Sequence, residues 1–180
     1  AVNELKRLLG PKGTVEITFT RNQAQFVLVD GTGSDIHLVT KLIEANYPNY
    51  KQVVPTETTF KINIPREELL AAVRRASLLT SNKSESVMFD FSTNKLKITA
   101  NSADLGEASE ELLVRSPSKM RIAFNPTYLL DVLAAIETDE IIFELIDSLS
   151  PGVIRQVTSD KVKTGFLYVV MPMRLESPEP

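Results

Sequence analysis

Asp90, Asp104, Asp131, Asp139 and Asp147 are the acids that a hydrolase or a metal site would draw on, but they are scattered along the chain. No two of them have the spacing that metal binding or paired acid–base work demands. His37 is the single histidine and sits in a predicted strand with no second ligand type at metal spacing, so it reads as a packing or surface residue. Gly31-Thr32-Gly33-Ser34 lacks a third glycine and precedes no helix; it reads as a hairpin loop and not as a phosphate cradle. No nucleophile is paired with a base, and a chain without cysteine has no thiolate chemistry. The residues therefore predict no catalytic group, no metal and no cofactor. A metal-dependent hydrolase built on Asp131 or Asp147 is the rival class.

What remains is binding chemistry. The chain has 180 residues, 43% hydrophobic and 24% charged, the balance of a globular protein with a proper core. Its net charge is −3 and its pI near 5.3. That argues against holding nucleic acid by a dense basic surface, which needs many Lys and Arg contacts, though it leaves room for a local basic stripe. No stretch approaches the roughly 20 apolar residues that span a bilayer, and no signal-peptide pattern opens the chain. The absence of cysteine fits a reducing compartment. The expectation is a cytoplasmic protein without a membrane partner.

The elements that position these residues recur. Phe60 to Ile64 alternates apolar and polar, the mark of a half-buried strand. Pro65 then opens a helix whose stripe is Leu69, Leu70, Val73 and Ala76, with Arg66, Glu67, Arg74 and Arg75 off it. Val87 to Phe91, a turn at Thr93-Asn94, Lys95 to Thr99, and Glu110 to Val114 supply three strands. The order then repeats. Met120 to Phe124 is a strand, and Asn125-Pro126 starts a helix with stripe Leu129, Leu130, Leu133 and Ile136. Ile141 to Ile146, a turn at Ser150-Pro151-Gly152, Val153 to Val157, and Phe166 to Met171 follow. Each β-α-β-β-β module is about 60 residues long, a period that signals repetition.

The beginning fits the same template without its first strand. Val2, Leu5, Leu8 and Leu9 form a short helix stopped at Gly10-Pro11, followed by strands at Thr14 to Phe19, Gln25 to Val29 and Ile36 to Leu42. A module that begins at its helix cannot complete its own sheet, so the expectation is a fragment cut inside a domain. The domain reading is a half-domain over 1–54, a polar linker over 55–58, a complete domain over 59–175, and a flexible tail over 176–180.

The ending Tyr168-Val169-Val170-Met171-Pro172-Met173-Arg174-Leu175 resembles the C-terminal motif of the bacterial sliding-clamp family, the β subunit of DNA polymerase III. Three other stretches agree in order and spacing: Asn46 to Tyr50 with Val53-Val54-Pro55, Leu96 to Asn101, and Phe124 to Leu133. The resemblance implies an α+β DNA clamp fold of repeated β-α-β-β-β modules, with antiparallel sheets outside and helices on one face. It implies a non-catalytic processivity factor that encircles duplex DNA without reading sequence, closing as a head-to-tail homodimer. This chain would be the second half of the middle domain plus the third domain, and would not close a ring alone.

The same resemblance implies a pocket for linear motifs of the replicative polymerase subunit, the clamp loader and repair proteins. On matching positions its residues are Pro48, Val53, Asn125, Tyr128, Leu149, Val169, Val170, Met171, Pro172, Met173, Arg174 and Leu175. Gln52, Ser84 and Pro151 depart from the pattern, and the part of the pocket drawn from the first half of the middle domain is absent. From the residues alone, Val169 to Leu175 is a last core strand with a proline kink, and Asn125 and Tyr128 are a cap and a packed ring. Lys6, Arg7, Arg74 and Arg75 would face DNA phosphates by the resemblance; otherwise they form a solvated helix face. A repeat-built structural or interaction module without a DNA role is the alternative.

Overall fold

The computed structural model describes residues 1–29, 35–47, 49–55, 57–80, 86–102, 104–158 and 161–174, with the backbone alone at 158 and 161–165. The predicted loop Gly31 to Ser34, the pocket residues Pro48 and Leu175, Ser84 and the tail 176–180 lie outside the described residues. The chain divides into two compact units, Ala1–Pro48 and Asn49–Pro180, a division upstream of the boundary drawn after residue 54.

In the N-terminal unit, α1 (Val2–Leu8) precedes an antiparallel sheet of β1 (Thr14–Phe19), β2 (Gln23–Val29) and β3 (Ile36–Lys41), in the order β1-β2-β3. Among the described residues there, only Ala24 and Leu28 are buried apolar ones, while Ile17 and Phe19 on β1 are exposed.

A short 3-10 turn, Tyr50–Gln52, opens the C-terminal unit. Then come β4 (Phe60–Pro65), α2 (Arg66–Ser77), β5 (Val87–Ser92), β6 (Lys95–Ser102) and β7 (Gly106–Leu113). The second module follows as β8 (Met120–Phe124), α3 (Pro126–Ala135), β9 (Glu140–Leu145), β10 (Gly152–Thr158) and β11 (Lys161–Val170). The order of elements is the repeated one expected. The pairing is not local, however: the sheets run β11-β10-β9-β4 and β7-β6-β5-β8. Each module lends its first strand to its sister. Phe60 pairs with Leu145 and Ile64 with Ile141, while Val87 pairs with Phe124 and Phe91 with Met120. This corrects the idea that a module completes its sheet with its own first strand.

One core joins both sheets and both helices. Phe60, Ile62 and Ile64 are buried while Lys61 and Asn63 are exposed, the alternation that period-2 patterning requires. Phe89 lies edge-to-face with Phe124 at 5.6 Å and with Phe143 at 6.4 Å, so its ring meets strands of both modules. From α2 the buried residues are Leu69, Ala72, Val73 and Ala76, and Leu70 is only half-buried. From α3 they are Pro126, Leu129, Val132 and Leu133.

Three residues read differently in three dimensions. Pro65 ends β4 and takes the N-cap position of α2 instead of its first turn. Gly152 is not a turn residue but the first residue of β10, where a Cβ would fall 2.8 Å from both Leu145 Cδ2 and Phe143 Cε2. Arg66, placed off the apolar stripe by the sequence, is engaged: its Nε donates to the Thr138 carbonyl at 3.0 Å and its Nη1 to the Leu133 carbonyl at 3.1 Å. A guanidinium thus serves carbonyls at the C-terminal end of α3, where cations are favoured.

On the β4–β9–β10 surface, the nearly buried Glu144 accepts from Arg155 Nε at 2.9 Å and faces Lys61 Nζ at 3.1 Å. Burial is the largest single influence on this carboxyl and pushes it upward, but the bonds from Arg155 and Lys61 outweigh it and hold it below its ordinary value of 4.5. The stabilisation is therefore present above the ordinary glutamate range and is lost as pH falls through the lowered folded value. Glu144→Gln is expected to cost about 1–2 kcal/mol at pH 7, a charge-assisted hydrogen bond discounted for the solvent around Lys61. Urea unfolding of both proteins from pH 7 to pH 3 checks it: the difference should shrink toward the acid end.

Candidate functional site

The end of β11 decides the site. Val170 is buried and pairs with Gly152 on β10. The next residues cannot continue the ladder, because Pro172 has no N–H to give. The chain turns away there and Met173 N donates to the Ala123 carbonyl at 2.8 Å, forming a bridge to β8. So the C-terminal run leaves the outer strand of one sheet and lies against the outer strand of the other. Met171, at the crossing, is left 57% exposed although it is a large apolar residue. This answers the choice left open by the residues: Val170 is the last core position, and the run after it is a surface.

Two hollows flank Met171. The first, about 350 Å³, is lined by Leu149, Met171, Pro172, Met173 and Arg174. The second, about 210 Å³, is lined by Tyr128, Tyr168, Val169, Val170 and Met171. Sites for small ligands and peptide anchors are apolar concavities of this order with a few polar groups at the rim.

Local chemistry explains each wall. Asn125 is the N-cap of α3, its Oδ1 accepting from Thr127 N at 2.9 Å, with Pro126 as the first helical residue. That cap starts α3 so that Tyr128 stands on its exposed side. Leu149 is held by Asp147, which the sequence offered only as an isolated acid. Asp147 Oδ1 accepts from Leu149 N at 2.8 Å and Ser150 N at 2.6 Å, and Oδ2 from Ser150 Oγ at 3.0 Å. Those bonds, led by the Leu149 amide, lower the Asp147 carboxyl below its usual range. They tie off the loop's polar groups and leave Leu149 73% exposed at the edge of the first hollow.

The structure therefore brings together Leu149 with Met171 to Arg174, and Tyr128 with Val169 to Met171. Asn125 shapes the site as a cap and lines neither hollow. Val53, just after the 3-10 turn and partly exposed, also lines neither. Tyr168 belongs to the second hollow and was missed as a site residue because it sits inside the continuous apolar run Phe166 to Met171, which reads as an ordinary strand. Burial first, then the Asp131 carboxylate and the Tyr128 phenol, push the Tyr168 phenol above its ordinary value.

The basic residues lie elsewhere. Lys6 and Arg7 occupy the last turn of α1, where Arg7 bonds Glu4. Arg74 and Arg75 are exposed in the last turn of α2. Arg75 is engaged: its Nε and Nη2 donate to the two Glu110 oxygens on β7 at 2.8 and 2.7 Å. Among the described residues, no group of three or more His, Cys, Asp or Glu could hold a metal ion, and no helix is long and apolar enough to cross a membrane.

Comparison with known proteins matches residues 51–174 to the family described as DNA polymerase III beta subunit, C-terminal domain. The beta sliding clamp of Chlamydia pneumoniae is 32% identical over 97% of this chain and 45% of its own length. A crystal structure of a sliding clamp from Pseudomonas aeruginosa bound to griselimycin is 33% identical, with a TM-score of 0.74, over 97% of this chain and 45% of that one. The corresponding clamp from Bartonella birtlesii, also bound to griselimycin, is 30% identical with a TM-score of 0.78 over the same shares. The chain spans less than half the length of the curated relatives it matches.

The Asp147 turn can be tested directly. Asp147→Ala should speed hydrogen exchange at the Leu149 and Ser150 amides by roughly fivefold or more, the loss of one net hydrogen bond. In the unaltered chain the same protection should hold above the ordinary aspartate value of 3.8 and fade only as pH drops through the lowered one.

Proposed function

The chain belongs to the DNA polymerase III β-subunit family, the bacterial sliding clamps, and on that premise we propose that it is the peptide-docking portion of a DNA polymerase processivity clamp. The parent protein would encircle duplex DNA as a head-to-tail homodimeric ring and hold the polymerase by topology. In this reading residues 1–54 are the second half of the middle domain and 59–175 the third domain, in a non-catalytic accessory subunit of the cytoplasm. An acidic pI suits such a ring, since topological retention needs no large electrostatic grip.

One observation carries the reading: the run Met171 to Arg174 walls one hollow, and the exposed Met171 is shared with a second at the crossing between sheets. A motif of the polymerase, clamp loader or repair proteins would place an apolar side chain against Leu149 and Pro172, with a neighbouring residue of the motif reaching Tyr128 and Val169. Methionines at 171 and 173 adapt their shape to different anchors, which a surface with several partners needs. Asn125, Val53, Val170 and Arg174 complete the proposed site, with Pro48 and Leu175 added by resemblance alone. Lys6, Arg7, Arg74 and Arg75 would touch phosphates without reading bases. Arg75 would contribute least, because Glu110 already holds it.

Griselimycin, bound by the Pseudomonas aeruginosa relative, is a ready probe. It and a fluorescein-labelled peptide copied from a replicative polymerase tail should both bind this chain. Deletion of Met171 to Leu175, or the pair Leu149→Ala and Met171→Ala in one protein, should weaken both by roughly 30-fold or more, the loss of central anchors. Unchanged affinities in a titration would show the pocket to be misplaced.

A further inference from the structure

The second hollow is not wholly apolar. Its lining is Val169, Val170 and Met171 together with two phenol-bearing side chains, Tyr128 and Tyr168. Asp131 lies three residues after Tyr128 on α3, one turn along the same exposed helix face. Asp131 does not itself line the hollow, but it neighbours Tyr128, which does, and its carboxylate adds to the upward push on the Tyr168 phenol. Among the described residues no Lys or Arg stands within ion-pair distance of Asp131. The first hollow differs: a cation, Arg174, is part of its lining.

We infer that the hollow beside α3 is a subsite for a cationic side chain of the docking peptide, seated on Asp131 between the faces and hydroxyls of Tyr128 and Tyr168. The inference rests on the peptide-docking reading and extends it from apolar anchoring to charge. Arginine is the chemistry that fits best. Its planar group stacks on aromatic faces while its five donors reach a carboxylate and two phenol oxygens at once. Lysine would offer only a point charge. With Arg174 at one end and Asp131 at the other, the two hollows present opposite charges either side of Met171. A peptide with a base at one end of its apolar anchor is thereby bound in one direction only, since reversal would set like charges together.

The test is a positional scan of the fluorescein-labelled polymerase-tail peptide. Each residue outside the apolar anchor is replaced in turn by Arg, Gln or Glu, and binding is read by anisotropy at low salt. At one position Arg should bind about three- to fivefold more tightly than Gln, with Glu weaker than both, as a partly exposed ion pair allows. The Arg-to-Gln ratio at that position should fall to about one in Asp131→Asn and invert toward Glu in Asp131→Lys, by the same charge logic. A gain from Arg that is equal at every position, or a preference that survives both substitutions, overturns the subsite. If the parent peptide binds without any such preference, only this inference fails. If neither the parent peptide nor griselimycin binds, the docking reading fails and the subsite with it.

Discussion

The exchange of first strands between the two modules is the constraint on which the C-terminal unit rests. A three-stranded meander with a helix across it leaves an unpaired edge on its first strand, and sheets tolerate such edges poorly. Here β4 fills the edge of β9 and β8 fills the edge of β5, so neither module is whole without the other. The exchange also forces a single core. Phe60 reaches Phe91 and Phe89 reaches Phe143, each contact joining residues from strands of different sheets. It packs α2 against α3, with Arg66 tying the start of one to the end of the other.

The binding surface follows from the same arrangement. Because β8 is lent to the first module's sheet, it becomes an outer strand whose free side is available to the chain as it leaves β11. Pro172 ends one ladder and Met173 starts a contact with the other, so Met171 stands at the crossing more than half exposed. Apolar residues that would otherwise finish a core strand are instead held open to solvent. The loop carrying Leu149 and the capped start of α3 bound this crossing on its two sides, each locked by a local side-chain-to-backbone hydrogen bond. Rigid walls around a flexible methionine suit a surface that accepts more than one apolar anchor.

Much of this was legible in the chain itself, because local pattern and local structure share a cause. Phe60, Ile62 and Ile64 alternate since one face of β4 is buried, and Asn125-Pro126 reads as a helix start since capping chemistry is local. The order of elements was likewise visible, whereas the C-terminal run read from its residues alone as a core strand and only the family resemblance marked it as a binding surface. The exchange of strands was not. Periodicity says which face of a strand is buried but not which distant strand it meets. The first half of β7 also escaped notice, because Gly106, Glu107 and Ser109 lie on an outer strand with little burial to pattern them. Arg66 read only as a residue off the apolar stripe and Asp147 only as one of several scattered acids; their roles depend on carbonyls and amides whose positions only the fold creates. Gly152 looked like a turn residue, and the reason for it is the Phe143 and Leu145 side chains that crowd it.

The central claim is that the crossing at Met171 is a binding surface while the rest of the sheets serve as scaffold. The chain's four methionines make this measurable, since Met88 and Met120 lie on the scaffold strands β5 and β8 and Met171 and Met173 on the crossing. Methyl NMR of methionine-labelled protein titrated with griselimycin reports on all four at once. The Met171 and Met173 signals should move and saturate while Met88 and Met120 hold their positions. Movement confined to Met88 and Met120, or no movement at saturating ligand, would contradict it.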